Sequence, residues 1–300
     1  MKFELSKYVN FDCEELCLRS SNKDIVYTLY PSDKEKSLKD SSEFIIKGVG
    51  SSTEEEAREE GMKVKNALMW FGINNRLGVN FIKSTGKSSN FLKKELFDKF
   101  GVTVLDDNGL NIYPENDEST VFISFSGEGY GIHKPLKPFA ETFQNGLNIE
   151  LNKKKKLSLE LYNASHFESS IRAKFLTLII AIESLISPIK KSDEAVKFIE
   201  SLIEQTGQQA REDIKSLVDR LGDLKIESIS SSAKSLVKKH LEYKQYDGNS
   251  AEGFFKKCYD IRKKLVHDGD LPEGIGDLSK ITINLDKMVS DLLISCVEMN

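Results

Sequence analysis

FESSIRAKFLTLIIAIESLISP, residues 167–188, is the stretch that decides how the second half of this chain folds. Ile171, Phe175, Leu178, Ile182 and Leu185 recur at three- and four-residue intervals, which is one face of a helix. Leu176, Ile179, Ile180 and Ile186 fill the flanks, so the helix is apolar on most sides and belongs at the centre of a bundle. Pro188 ends it, because its ring removes an amide donor and clashes with the preceding turn. Glu183 is the exception inside the stripe. A carboxylate buried alone is costly, so it needs a cationic or amide partner, or an edge. Two roles are open to it: a structural ion pair within the bundle, or a group that orients functional residues on a neighbouring helix.

Downstream the helical texture continues. Residues 192–206 form a helix stopped by Gly207, and 210–221 one stopped by Gly222. Residues 230–243 follow. Residues 252–267 turn Phe254, Phe255, Cys258, Ile261 and Leu265 inward, with Gly269 and Pro272 as terminators. Residues 281–297 carry Leu285, Met288, Val289, Leu292 and Leu293. There is no internal repeat.

Upstream the pattern differs. Residues 25–29, 44–49, 79–82, 102–105 and 121–125 are short, β-branched or aromatic, and bounded by turn formers, which reads as strands. Asp107-Asn108-Gly109 is expected to be a turn. One helix interrupts the strands. Ser52-Thr53-Glu54-Glu55 is its capping box, three glutamates suit its positive end, and Gly72 offers a stop. Residues 91–100 suit a second, short helix. The four lysines 153–156 mark a domain boundary, either as a solvated linker or strand edge or as a contact for RNA phosphates. The expected fold is therefore α+β: a mixed N-terminal domain over 1–157, then an all-α bundle over 158–300.

Composition limits the function. The 300 residues are 39% hydrophobic and 30% charged, ordinary for a globular protein. The formal net charge of −4 advertises no polyanionic partner, so a nucleic-acid site would have to be a local basic patch. The longest apolar run, around 175–186, is broken by Thr177 and Glu183 and is too short to span a bilayer. The first residues lack the apolar core of a signal peptide, so a cytoplasmic protein is expected, with no membrane partner. Cys13, Cys17, Cys258 and Cys296 lack zinc-finger spacing, and Cys258 reads as a small buried hydrophobe. His133, His166 and His240 have no partners at metal-ligand spacing and read as structural, so no metal and no cofactor is expected. Gly127-Glu128-Gly129-Tyr130-Gly131 lacks the ending of a phosphate loop and reads as a turn.

The segment Tyr259-Asp260-Ile261-Arg262-Lys263-Lys264-Leu265-Val266-His267-Asp268-Gly269 holds the candidate chemistry. Arginine presents a planar, permanently charged fork to phosphate oxygens. Histidine can give or take a proton near neutral pH. Together they could cleave a phosphodiester without a metal, with the RNA 2′-hydroxyl attacking its own phosphate. In an ideal helix His267 lies roughly 140° round from Arg262. Fraying before Gly269 would let the ring swing towards the arginine. The competing reading is an arginine on a solvated face and a histidine capping the last carbonyls. Lys234, Lys238, Lys239, Lys256, Lys257, Lys263 and Lys264 cluster on the helices expected at 230–243 and 252–267, either as an RNA-tracking surface or as solvated faces.

The same segment resembles the signature helix of HEPN proteins, whose motif is Arg, four to six residues, then His. Residues 175–185 resemble the early helix of the ApeA-like HEPN group, and Arg220-Leu221-Gly222-Asp223-Leu224 through Ser228-Ile229 resemble its middle segment. The likeness covers roughly residues 160–300 and occurs in the family's order. Residues 54–58 and 78–80 look like the variable region found before such domains. The resemblance implies a helical bundle that dimerises with two Arg/His motifs facing one cleft. It also implies a metal-independent endoribonuclease of the kind found in toxin systems and anti-phage defence. No function follows from the likeness of the first half; on the ribonuclease reading that half would sense a protein or phage trigger or restrain the site. Carried over by position, Arg262 would bind the scissile phosphate and His267 would move or orient a proton. Glu183, Lys263 and Asp268 would support them, and Lys256, Lys257 and Lys264 would bind RNA. Active members often carry a small polar residue after the arginine. Lys263 departs from that pattern, and it favours the alternative of a non-catalytic module for dimerisation or for binding RNA or a nucleotide.

Overall fold

The computed structural model describes residues 1–6, 11, 16–19, 25–33, 35–81, 103–104, 110–113, 120–121, 138–207 and 212–298. The helix expected at 91–100, the turn at 107–109, the glycine-rich 127–131 segment, Cys13 and His133 lie outside them. The described residues form a mixed α+β protein. It has two compact units, Met1–Glu150 with Asn163–Phe167, and Leu151–Tyr162 with Glu168–Asn300.

The first unit is built on an antiparallel sheet of β1 (Lys2–Leu5), β2 (Leu16–Arg19), β3 (Val26–Pro31), β4 (Glu43–Val49) and β5 (Val79–Asn80), in the order β2-β3-β4-β1-β5. Alternation sets which face is buried. Phe3 and Leu5, Phe44 and Ile46, and Tyr27 and Leu29 point to the core, with Phe3 opposite Phe44 and Leu29 opposite Ile46. Two further strands, β6 (Thr103–Val104) and β7 (Thr120–Val121), pair in parallel. Helices α1 (Glu54–Asn75) and α2 (Phe139–Leu147) complete this core. Phe139 meets Phe71 edge-on at 4.8 Å and stacks on Phe143 at 5.4 Å.

Three details differ from the expectations. The cap of α1 lies one residue later, with Thr53 accepting from the Glu56 amide at 3.1 Å and Glu56 accepting from the Ser52 amide at 2.8 Å. Gly72 does not stop the helix. A Cβ there would sit 2.7 Å from the Leu77 carbonyl oxygen, so Gly72 admits the returning chain, and Arg76, at φ 52, ends the helix instead. Helix α2 is an element that the residue pattern did not reveal.

The second unit is helical. Its elements are α3 (Lys153–Ser165), α4 (Ile171–Leu185), α5 (Asp193–Gly207), α6 (Glu212–Asp223), α7 (Ile229–Leu241), α8 (Ala251–His267) and α9 (Leu278–Glu298), and the last turn of α3 counts with the first unit. A two-residue hairpin, β8 (Gln245–Tyr246) and β9 (Asn249–Ser250), turns on Asp247 and Gly248, both at positive φ. The lysines 153–156 are thus neither linker nor strand edge. They form the first turn of α3, capped by the Asn152 carboxamide at 2.9 Å.

Helix α4 packs on α7, α8 and α9 and buries Phe175, Leu178, Ile179 and Ile182 completely. It is not covered all round, however: Ile171 and Ile180 remain exposed. Helices α5 and α6 pack chiefly on one another.

Candidate functional site

Helix α8 positions the candidate residues. The Ser250 hydroxyl accepts from the Gly253 amide at 3.2 Å and starts it. Phe254, Phe255, Cys258, Ile261 and Leu265 fix its rotation by filling the core. Asp247, in the preceding hairpin, ties down its side. The carboxylate accepts from Lys257 at 3.1 Å and meets Lys280 at 3.3 Å. Those bonds, Lys257 first, hold Asp247 below the usual carboxylate value.

With α8 so rotated, Arg262 faces α4 and meets Glu183. Arg262 Nε lies 3.6 Å from Glu183 Oε1, with side chains 27% and 16% exposed. The cationic partner that the apolar surroundings of Glu183 demanded is therefore Arg262. Tyr259, one turn earlier, completes the group. The guanidinium stands over its ring at 5.8 Å from the centroid, and the Lys263 ammonium at 5.3 Å. Burial raises the Tyr259 phenol above its ordinary value, and the Glu183 charge and a hydrogen bond to it add to that.

His267 is the last residue of α8 and is exposed. The fraying that would swing it towards Arg262 is absent. The Asp268 amide still donates to the Lys264 carbonyl at 2.8 Å, and Gly269, at φ 71, then reverses the chain. Helical geometry therefore keeps His267 roughly 140° round from Arg262. Within one chain the structure groups Glu183, Tyr259 and Arg262, and it leaves His267 and Asp268 on another side of the helix.

The lysines separate likewise. Lys256, Lys263 and Lys264 are exposed, whereas Lys257 is engaged with Asp247. Two residues join the surroundings that the motif did not indicate. Tyr259 could have been found from its three-residue spacing to Arg262. Arg172 of α4 donates to the Gly269 carbonyl at 3.3 Å, just past His267, and no local signal announces it.

Among the described residues, no group of His, Cys, Asp and Glu side chains is arranged to hold a metal ion, and no helix is long and apolar enough to cross a membrane. His240 bonds Ser295 through Nδ1 at 3.0 Å, a structural role within α7 and α9. Comparison with family models, curated proteins and solved structures returns no match.

Proposed function

We propose that the chain is a cytoplasmic, metal-independent endoribonuclease of HEPN type that works as a homodimer, an effector of the toxin or anti-phage kind. The observation that carries this reading is the Glu183–Arg262 ion pair. A guanidinium beside a half-buried carboxylate and over the face of Tyr259 is a preorganised phosphate ligand. It stands on the helix that also carries His267 and the exposed Lys256, Lys263 and Lys264.

In this chemistry Arg262 binds the nonbridging oxygens of the scissile phosphate. The imidazole of His267 takes the proton of the RNA 2′-hydroxyl as that oxygen attacks phosphorus. The bond from phosphorus to the 5′-oxygen breaks, the 5′-oxygen takes a proton from water, and a 2′,3′-cyclic phosphate and a 5′-hydroxyl result. Because Arg262 and His267 diverge by roughly 140° on one α8, a second copy supplies the complementary residue at each phosphate. The N-terminal unit would sense the trigger.

The test is cleavage of single-stranded RNA in chelator by the full chain and by His267→Ala. The expected result is loss of cleavage with circular dichroism and oligomeric state unchanged. Equal cleavage by both proteins refutes the assignment. A second reading, a non-catalytic module that binds RNA or a nucleotide, is favoured by the unfrayed end of α8 and by Lys263 beside Arg262. It predicts RNA binding without turnover.

A further inference from the structure

The first unit holds a cavity of about 460 Å³, lined by residues of β3, β4, α1 and the segment 110–113. That is the size of a small-molecule site. Ala57, Glu60, Gly61 and Val64 recur at three- and four-residue spacing and present one face of α1 to it. Gly61 admits the wall opposite. A Cβ there would overlap the Leu110 side chain, so residues 110–113 close against the helix. Tyr27 and Tyr30 of β3 and Tyr113 of that segment bring three phenol rings to the same space. Burial raises the Tyr30 and Tyr113 phenols, and Tyr113 adds to the rise at Tyr30, as two neighbouring hydroxyls would.

One side chain of the wall does not belong in a merely apolar void. Glu60 is only 5% exposed, and a buried carboxylate is costly unless it is paired and hydrogen-bonded. The Tyr27 hydroxyl donates to its Oε2 at 2.9 Å and the Lys63 ammonium to its Oε1 at 2.7 Å. Burial first, then Glu60, pushes the Tyr27 phenol above its ordinary value, so it stays a donor. Other charges at the wall are answered as well. Lys2 meets Glu43 at 3.0 Å, Glu54 meets Arg58 at 2.8 Å, and Lys47 is engaged. A wall whose charges already have partners favours an uncharged ligand. Its three phenol rings suit a flat ring. Ser52, Thr53 and Asn111 suit hydroxyl groups on that ligand, and a carboxylate, which only accepts, selects N–H donors. We infer that the cavity binds an uncharged nucleoside or free base, with its N–H edge on Glu60 and its ring among Tyr27, Tyr30 and Tyr113. Guanine fits best, because it sets two adjacent N–H donors against one carboxylate. The edge of uracil carries one donor between two acceptors. This site lies outside the ribonuclease reading and does not depend on it.

Equilibrium dialysis of the full chain against guanosine, uridine and guanosine monophosphate tests it. One guanosine binds per chain, and uridine binds more weakly by about tenfold or more. The monophosphate gains nothing over guanosine. Ala57→Phe fills the cavity from α1 and abolishes binding. Tyr30→Ala, at a half-buried position, removes part of the wall and weakens binding without crowding the core. Glu60→Gln keeps the shape and an acceptor for Tyr27, but offers a donor as well, so it narrows the preference for guanosine over uridine. A purely structural Glu60 would leave that preference unchanged. Circular dichroism shows which variants are folded. A wild-type chain that takes up no guanosine at millimolar concentration overturns the inference. So does a folded Ala57→Phe or Tyr30→Ala chain that binds as the wild type does, or an unaltered preference in Glu60→Gln. Tighter binding of the monophosphate than of guanosine shows recognition of phosphate, and that also overturns it. RNA and its cleavage play no part in the measurement, so failure here and failure of the ribonuclease reading are told apart.

Discussion

Replacing Arg262 with Met removes the charge facing Glu183 while keeping most of the side-chain volume. The separation is 3.6 Å, and neither side chain is more than about a quarter exposed. Two unit charges at that distance attract by about 4–5 kcal/mol at an effective dielectric near 20. In the variant the carboxylate stays half-buried without its partner. Removing one member of a fully buried pair costs about 3–5 kcal/mol, and partial solvation reduces the expected loss to about 2–3 kcal/mol. Urea unfolding followed by the helical circular dichroism signal reads this out. With a slope of about 2 kcal/mol/M, the midpoint falls by about 1 M. Trp70, the single tryptophan, lies in the first unit, so its fluorescence separates a loss in the helical unit from a general one. Arg262→Met/Glu183→Gln removes both charges and returns most of the stability. An unchanged midpoint in Arg262→Met, or a double variant as unstable as the single one, would refute the coupling of these two residues.

Gly146→Ala places a methyl 2.7 Å from the Ala67 Cα, where backbone must move, and should destabilise the first unit by about 1–3 kcal/mol in a thermal melt. Burial pushes the Cys258 thiol up to about 12 and that of Cys296 up to about 11, so both thiolates are disfavoured in the folded state. At pH 8, in a Cys13→Ser background, a disulfide reagent should therefore modify the exposed Cys17 rapidly and the other two only on unfolding. Asp247 titrates below its ordinary value because Lys257 and Lys280 favour its charged form. Its contribution is complete above the ordinary value of 3.8 and fades as pH falls below it, so Asp247→Asn should flatten the acid side of the stability profile.

Much of the helical unit was legible in the residue pattern because its signals are local. Apolar spacing marked α4 through α9 to within a few residues, and Ser250 and Gly269 bracket α8 with recognisable cap chemistry. Helix α3 escaped because it opens with four lysines at the end where the helix dipole disfavours them. Its buried Ser158, Leu159, Tyr162 and Ser165 hold it by packing instead. The sheet was only half legible. Residues 2–5 and 16–19 are too short to stand out alone, and they become strands by pairing with β4 and β3. Gly72 reads as a helix stop in the sequence because a glycine that ends a helix and one that admits a neighbouring carbonyl look alike in one dimension.

The candidate site divides in the same way. Residue order and periodicity alone put Arg262 and His267 on one helix, make them diverge around it, and require a partner for a carboxylate at 183. Helical periodicity and the cost of a buried charge are properties of a residue and its near neighbours. It takes the packed helices to make Arg262 that partner, to set Tyr259 beneath its guanidinium, and to carry α8 unfrayed to His267. The same packing leaves Ile180, Phe198 and Val266 exposed. Whether an apolar or charged face finds a partner depends on which distant surface the fold brings against it, and that long-range pairing is not encoded in any local spacing.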